Sequence, residues 1–123
     1  RSNNTLVGYI LAEASSTSFV SGSSDESLKE NIADWNESVI DKFKEIKPVT
    51  FNFISDESKE NKKGYIAQNE VDKFPEAYPK NPNDGKYSFN PSGMVTYLMK
   101  AIQEQQAIIE DLQTQINEVK NGN

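Results

Sequence analysis

Cysteine and histidine are both absent from this chain. Without cysteine there are no disulfides, thiolate nucleophiles or cysteine-rich zinc sites, though the absence says little about compartment. Without histidine a transition-metal site loses its commonest ligand, and only an all-oxygen Ca²⁺ or Mg²⁺ site stays open. A hydroxyl nucleophile here would have to rely on a carboxylate, a neutral lysine or a terminal amine as its base. Arginine is nearly missing too: Arg1 is the only one, and the net charge is −6. That balance argues against a nucleic-acid surface, which needs an excess of cations. No apolar run approaches the roughly 20 residues that cross a bilayer. The N-terminus lacks the charged start and long apolar core of a signal peptide. No nucleic acid, no membrane, no metal and no cofactor are therefore expected. A chain that begins without methionine reads as a piece of something larger.

Hydrophobic residues make up 35% and charged residues 26% of 123 residues, enough for one small domain with appendages but not for a large private core. Part of its burial is expected to come from partner chains. Residues 1–23 are polar and rich in Ser, Thr and Asn, with an apolar run from Leu6 to Ala12. That run reads either as a strand in need of a neighbour or as part of a flexible tail, and composition alone favours the tail. Ser15 to Ser18 and Ser21 to Ser23 read as loop.

Residues 24–90 read as a small α+β unit. Asp34 and Glu37 have the spacing of a capping box, and Trp35, Val39, Ile40, Phe43 and Ile46 then recur on one helical face up to Pro48. Val49 to Ile54 alternates as a strand, a charged turn follows over Ser55 to Lys63, and Gly64 to Gln68 returns as a second strand. A short helical turn broken by Pro75 is expected within Val71 to Tyr78. Asn81 to Gly85 is a turn, followed by a short strand at Lys86 to Phe89. Trp35, Phe43, Phe51, Phe53 and Tyr65 are read as core side chains. Asp56, Glu57 and Glu60 form a solvated turn, and Asp84 lacks the companions of a Ca²⁺ loop.

Residues 91–121 read as one long helix, with Asn90 as N-cap, Pro91 at the first helical position and Asn121 to Asn123 as the stop. A heptad runs along it: Val95, Ile102, Ile109 and Ile116 at one core position, Leu98, Gln105, Leu112 and Val119 at the other. Three- and four-residue spacing over nearly four heptads points to a coiled coil. The pattern alone leans towards a dimer if the coil is parallel and otherwise says oligomer without a count.

The chemistry concentrates in Ser24-Asp25-Glu26-Ser27-Leu28-Lys29-Glu30-Asn31-Ile32. Ser24 and Lys29 are a nucleophile and a nitrogen base five residues apart. Five residues on an α-helix is a rotation of roughly 140°, so the pair meets only in a turn or irregular loop, or between subunits. As a base, Lys29 must give up a proton from an ordinary pKa of about 10.4, which takes burial or a nearby positive charge. By itself a Ser and a Lys at this spacing is usually chance, because both residues are common and solvated.

These pieces in this order resemble the C-terminal intramolecular chaperone domain of phage tailspikes, tail fibres and neck appendages, of the self-cleaving endosialidase type. The resemblance runs from Ser24 to about Val119. Ser24 to Ile32 match Ser-Asp-x-Arg-Leu-Lys-Glu-Asn-Ile except at Ser27, which replaces arginine. Lys47 to Asn52, Gly64 to Gln68, Phe74 to Glu76 and Ser92-Gly93 before the long helix supply the rest. The resemblance implies a homotrimer, a trimeric coiled coil over 91–121, and a role in folding a β-structured stem, of which residues 1–23 would be the end or a released linker. It implies self-cleavage of the Ser23–Ser24 bond by Ser24 with Lys29 as base, with Asp25 and Asn31 as positioning residues. The setting it implies is a virion tail or appendage precursor made in the host bacterial cytoplasm, with the cleaved domain absent from the mature fibre. The same domain type in the membrane-bound precursor of a transcription factor ranks second. A trimerisation and folding clamp that never cuts is the structural alternative to the single-turnover serine protease.

Overall fold

The computed structural model describes residues 8–122 and divides into two compact units, residues 1–36 and residues 37–123. In the first unit, β1 (Gly8–Ala12) pairs antiparallel with β2 (Thr17–Ser21), with Ile10 opposite Phe19 and Tyr9 opposite Val20. The four-residue connection is closed by the Glu13 N–H donating to the Ser16 carbonyl at 2.8 Å and by the Ser16 hydroxyl donating to the Glu13 carboxylate. The loop expected over Ser15 to Ser18 is therefore shorter, because Thr17, Phe19 and Val20 are strand formers that find partners across the hairpin. Leu6 and Val7, at the start of the expected run, lie outside the described residues. A single 3₁₀ turn, Glu26–Leu28, follows.

The second unit holds α1 (Ile40–Lys44), the antiparallel pair β3 (Val49–Phe51) and β4 (Lys62–Gly64), α2 (Ala67–Glu70), a 3₁₀ turn at Pro75–Ala77 and α3 (Pro91–Asn121). This is the small α+β arrangement with short antiparallel strands and a long C-terminal helix that the pattern predicts. Several boundaries differ. The helix expected from Trp35 starts only at Ile40, and the Asp34 capping box is not used. Its N-terminus is served from far away: the Val39 N–H donates to the Glu104 carboxylate at 2.9 and 3.2 Å. The Ser38 hydroxyl bond to that carboxylate is the chief cause of its lowered pKa, followed by the Val39 N–H. A cap contributed by α3 fixes where α1 begins, so Trp35 lies in irregular chain ahead of it.

Of the strand expected over Gly64 to Gln68 only Gly64 lies in a strand, the end of β4, while Ala67 and Gln68 are helical, because Ala67 to Glu70 close a turn through the Asn69 N–H to Ile66 carbonyl and Val71 N–H to Ala67 carbonyl bonds. The turn expected to break at Pro75 begins there, with proline at its first position, where no N–H is required. Lys86 to Phe89 forms only one bridge, Lys80 with Tyr87, rather than a strand. The Asn81 turn forms as expected, with Gly85 at a φ of +69° and its N–H on the Asn81 carbonyl at 2.8 Å.

The core is small. Val39, Phe74, Ala77, Tyr78, Tyr97 and Ala101 are buried, with Ile40, Phe43, Ile46, Ala67, Val71, Tyr87 and Met94 packed against them. Phe74 is its centre, with the Phe43 ring 4.9 Å away and the Tyr97 ring edge-on at 5.1 Å. Of the aromatics expected in the core, Phe43 joins it and Phe51 is half-buried, whereas Trp35, Phe53 and Tyr65 are exposed. Phe53 and Tyr65 lie just beyond the ends of β3 and β4, Phe53 with its ring edge-on to Phe51 at 5.3 Å. Glu70 is the one buried charged residue among those described. One carboxylate oxygen accepts the Lys47 N–H at 3.2 Å, and the other lies 3.6 Å from the Lys73 ammonium.

Helix α3 docks on the Pro75–Ala77 turn through a close backbone approach. A Cβ on Gly93 would collide with the Glu76 carbonyl, so only glycine fits there. Asn90 caps the helix by accepting the Ser92 N–H at 3.2 Å, and Pro91 follows. Two stripes run along the first turns of α3. Met94, Tyr97, Ala101 and Glu104 meet the body, while Val95, Leu98 and Ile102, each one residue further on, stay outside.

Candidate active site

Ser24 and Lys29 come together: the Lys29 Nζ donates to the Ser24 Oγ at 2.7 Å. The α-helical geometry that would separate them is avoided because the intervening residues form the 3₁₀ turn. The Leu28 N–H donates to the Asp25 carbonyl at 3.1 Å and the Lys29 N–H to the Glu26 carbonyl at 3.0 Å. Lys29 then leaves in an extended conformation, with φ −122° and ψ 146°. Its side chain folds back towards residue 24. As the bond stands, the lysine is the donor. To serve as a base it must reach the serine without its extra proton. Both side chains are exposed in the single chain.

Asp25 caps this turn. Its Oδ1 accepts the Ser27 N–H at 2.9 Å and the Ser27 hydroxyl at 2.5 Å. Those two bonds, the hydroxyl first, hold the Asp25 carboxyl below its ordinary value. Across the Ser23–Ser24 bond, the Asp25 N–H donates to the Ser23 Oγ at 3.3 Å, closing a small turn around that peptide. Asn31 adopts a left-handed conformation at φ 54°, two residues beyond Lys29, and lies outside this hydrogen-bonded group among the described contacts. The roles of Ser27 and of the Ser23 hydroxyl were not read from the sequence. The signal was available, because Asp-x-Ser is a self-capping turn.

Residues 24–78 match the family model described as chaperone of endosialidase, which is classed with the peptidases. Residues 24–78 belong to the chaperone-of-endosialidase family. The chaperone match begins at Ser24 itself and ends at Tyr78, so it spans the capped turn, α1, the β3–β4 pair, α2 and the Phe74 region, and leaves out α3. No curated protein matches the chain.

The remaining residues singled out by sequence lie along α3. Val95, Leu98, Ile102, Ile109, Leu112, Ile116 and Val119 are 44% to 79% exposed, and Gln105 is exposed with them. An apolar stripe from Val95 to Val119, about 37 Å long and interrupted by Gln105, lies open in the single chain. No group of three or more Asp or Glu side chains that could hold a metal ion occurs among the described residues.

Proposed function

We propose that this chain is a C-terminal intramolecular chaperone that trimerises through α3. It assists folding of a β-structured stem N-terminal to it in a phage tail or appendage precursor, then cuts itself at the Ser23–Ser24 bond. The observation that carries the cleavage reading is the 2.7 Å contact between Lys29 Nζ and Ser24 Oγ at the residue where the family match begins. Neutral Lys29 takes the proton of the Ser24 hydroxyl, and Ser24 Oγ attacks the Ser23 carbonyl carbon. The Ser23–Ser24 C–N bond breaks, the Ser24 nitrogen leaves as an amine after taking a proton, and an ester links Ser23 to Ser24 Oγ. Water hydrolyses that ester, leaving a Ser23 carboxylate and restoring the hydroxyl.

The open stripe on α3 supports association, because an apolar seam of this length is stable only when covered. Assembly buries the exposed dyad and so gates the reaction. Mass spectrometry of purified protein is expected to find a 23-residue and a 100-residue piece from the 123-residue chain. Ser24→Ala is expected to abolish the cut and Lys29→Met to reduce it at least about 100-fold, the scale of a lost general base. An unchanged rate in Lys29→Met removes the lysine from the mechanism, and cutting in dilute denaturant, where no trimer exists, removes the gating.

A second reading has its own support. The dyad is exposed in the single chain, which suits a folding clamp that never cuts. Wild-type protein that stays whole while trimeric decides for the clamp.

A further inference from the structure

We infer that Ser27 is a positioning residue for the cleavage reaction, holding the turn that brings Lys29 to Ser24; this rests on the self-cleavage reading above. Lys29 can approach Ser24 only while residues 25–28 are wound into the tight turn. The turn is held at its start by the Asp25 carboxylate, and the carboxylate is held by Ser27 twice, through backbone and hydroxyl. Removing the hydroxyl leaves Asp25 with a single bond in solvent, where it is free to swing away and release the 3₁₀ geometry. Lys29 Nζ then loses its fixed approach to Ser24 Oγ.

The same tripeptide, Asp-Glu-Ser, occurs a second time in the chain at residues 56–58. There the Asp56 Oδ1 accepts the Ser58 N–H at 3.0 Å and the Ser58 hydroxyl at 2.7 Å, with the Glu60 N–H on the other carboxylate oxygen. Asp56 is shifted down for the same leading cause as Asp25, the serine hydroxyl. Both copies are preceded by serine and followed, directly or after Leu28, by Lys-Glu-Asn, and their shared geometry shows that the lock forms locally within the segment. Around the second copy Ser55 precedes and Lys59 follows, four residues apart instead of five, and the Lys59 ammonium donates to the Ile54 carbonyl at 2.8 Å, so the copy serves as an internal control for the turn alone.

The test compares first-order cleavage rates of the full chain and three variants, with trimer formation followed in each. Ser27→Ala is expected to cut about 10- to 100-fold more slowly, the cost of losing orientation between reacting groups. Ser27→Thr keeps the hydroxyl and is expected to restore a rate near wild type, while Ser58→Ala is expected to leave it unchanged. In parallel, NMR titration of the Asp25 carboxyl is expected to show its midpoint rising in Ser27→Ala and returning in Ser27→Thr. A wild-type rate in Ser27→Ala, or slow cutting in Ser27→Thr as well, overturns the role of Ser27 and leaves the Ser24–Lys29 mechanism standing. Wild type that never cuts overturns both. Equal slowing by Ser58→Ala shows a general loss of stability and also overturns the inference.

Discussion

Tyr97 shows how much one side chain carries in a core of six buried residues. Its ring stands edge-on to Phe74, its hydroxyl donates to the Glu76 carboxylate, and the Lys42 ammonium lies 5.8 Å from its ring centre. Burial first, and then the bond to Glu76, push its hydroxyl pKa well above the ordinary 10.0. A raised pKa adds stability that is fully present below pH 10 and is lost as pH climbs through the shifted value. Asp25, Asp56 and Glu104 have the opposite sign. Their carboxyls are lowered, so their contributions are present above ordinary values of 3.8 and 4.5 and vanish as pH falls through the shifted ones. Urea midpoints measured against pH are expected to be flat from about 5 to 9 and to fall on both sides. Tyr97→Phe is expected to cost about 1 kcal/mol at pH 7, the net worth of one hydrogen bond, and to remove its share of the alkaline loss.

At the scale of elements, the cap on α1 is the point where sequence reading and structure part. A capping box predicted from Asp34 and Glu37 is a local device, whereas the acceptor that serves Val39 is Glu104, 65 residues later. No window of sequence around α1 contains that information. Glu104→Ala is expected to lower the Tm by about 4–8 °C, the size of a lost N-cap in a domain this small, with loss of hydrogen-exchange protection at Val39 and Ile40. Unchanged protection at those amides would show that α1 holds its start without α3. By contrast, α3 was legible because everything that defines it is adjacent: Asn90, Pro91, the heptad and Gly122. The pairing of β2 was obscured by serines that suit loops as well as an exposed strand. The meeting of Ser24 with Lys29 was legible only as a condition, that the segment be a turn. The Asp25–Ser27 lock that satisfies the condition lies in the serine's own hydroxyl and N–H, at the position where the resembling family has arginine.

For the whole molecule, the imbalance between a small core and a long open stripe sets the stability. Most large apolar side chains, from Ile10 and Phe19 in the hairpin to Ile116 in α3, are exposed in a single chain. The Tm is therefore expected to rise with protein concentration, as it does when folding and association are linked. Ile109→Asn places an amide in the middle of the seam and is expected to weaken self-association at least about tenfold by sedimentation, while far-ultraviolet dichroism changes little. If Ile109→Asn associates like wild type, the stripe is not the contact.

The two stripes on α3 have a further consequence. Met94, Tyr97, Ala101 and Glu104 each precede a seam residue by one position, so the two lines run in fixed phase, about 100° apart around one axis. The helix behaves as a crankshaft: whatever grips the seam sets the azimuth of the whole body around it. Seven residues inserted beyond Glu104 would lengthen the shaft and nearly preserve that angle. One inserted residue would turn the distal seam by about 100° against the body. In an assembly joined along that stripe, the heptad register would set which way each body faces, as well as which side chains meet.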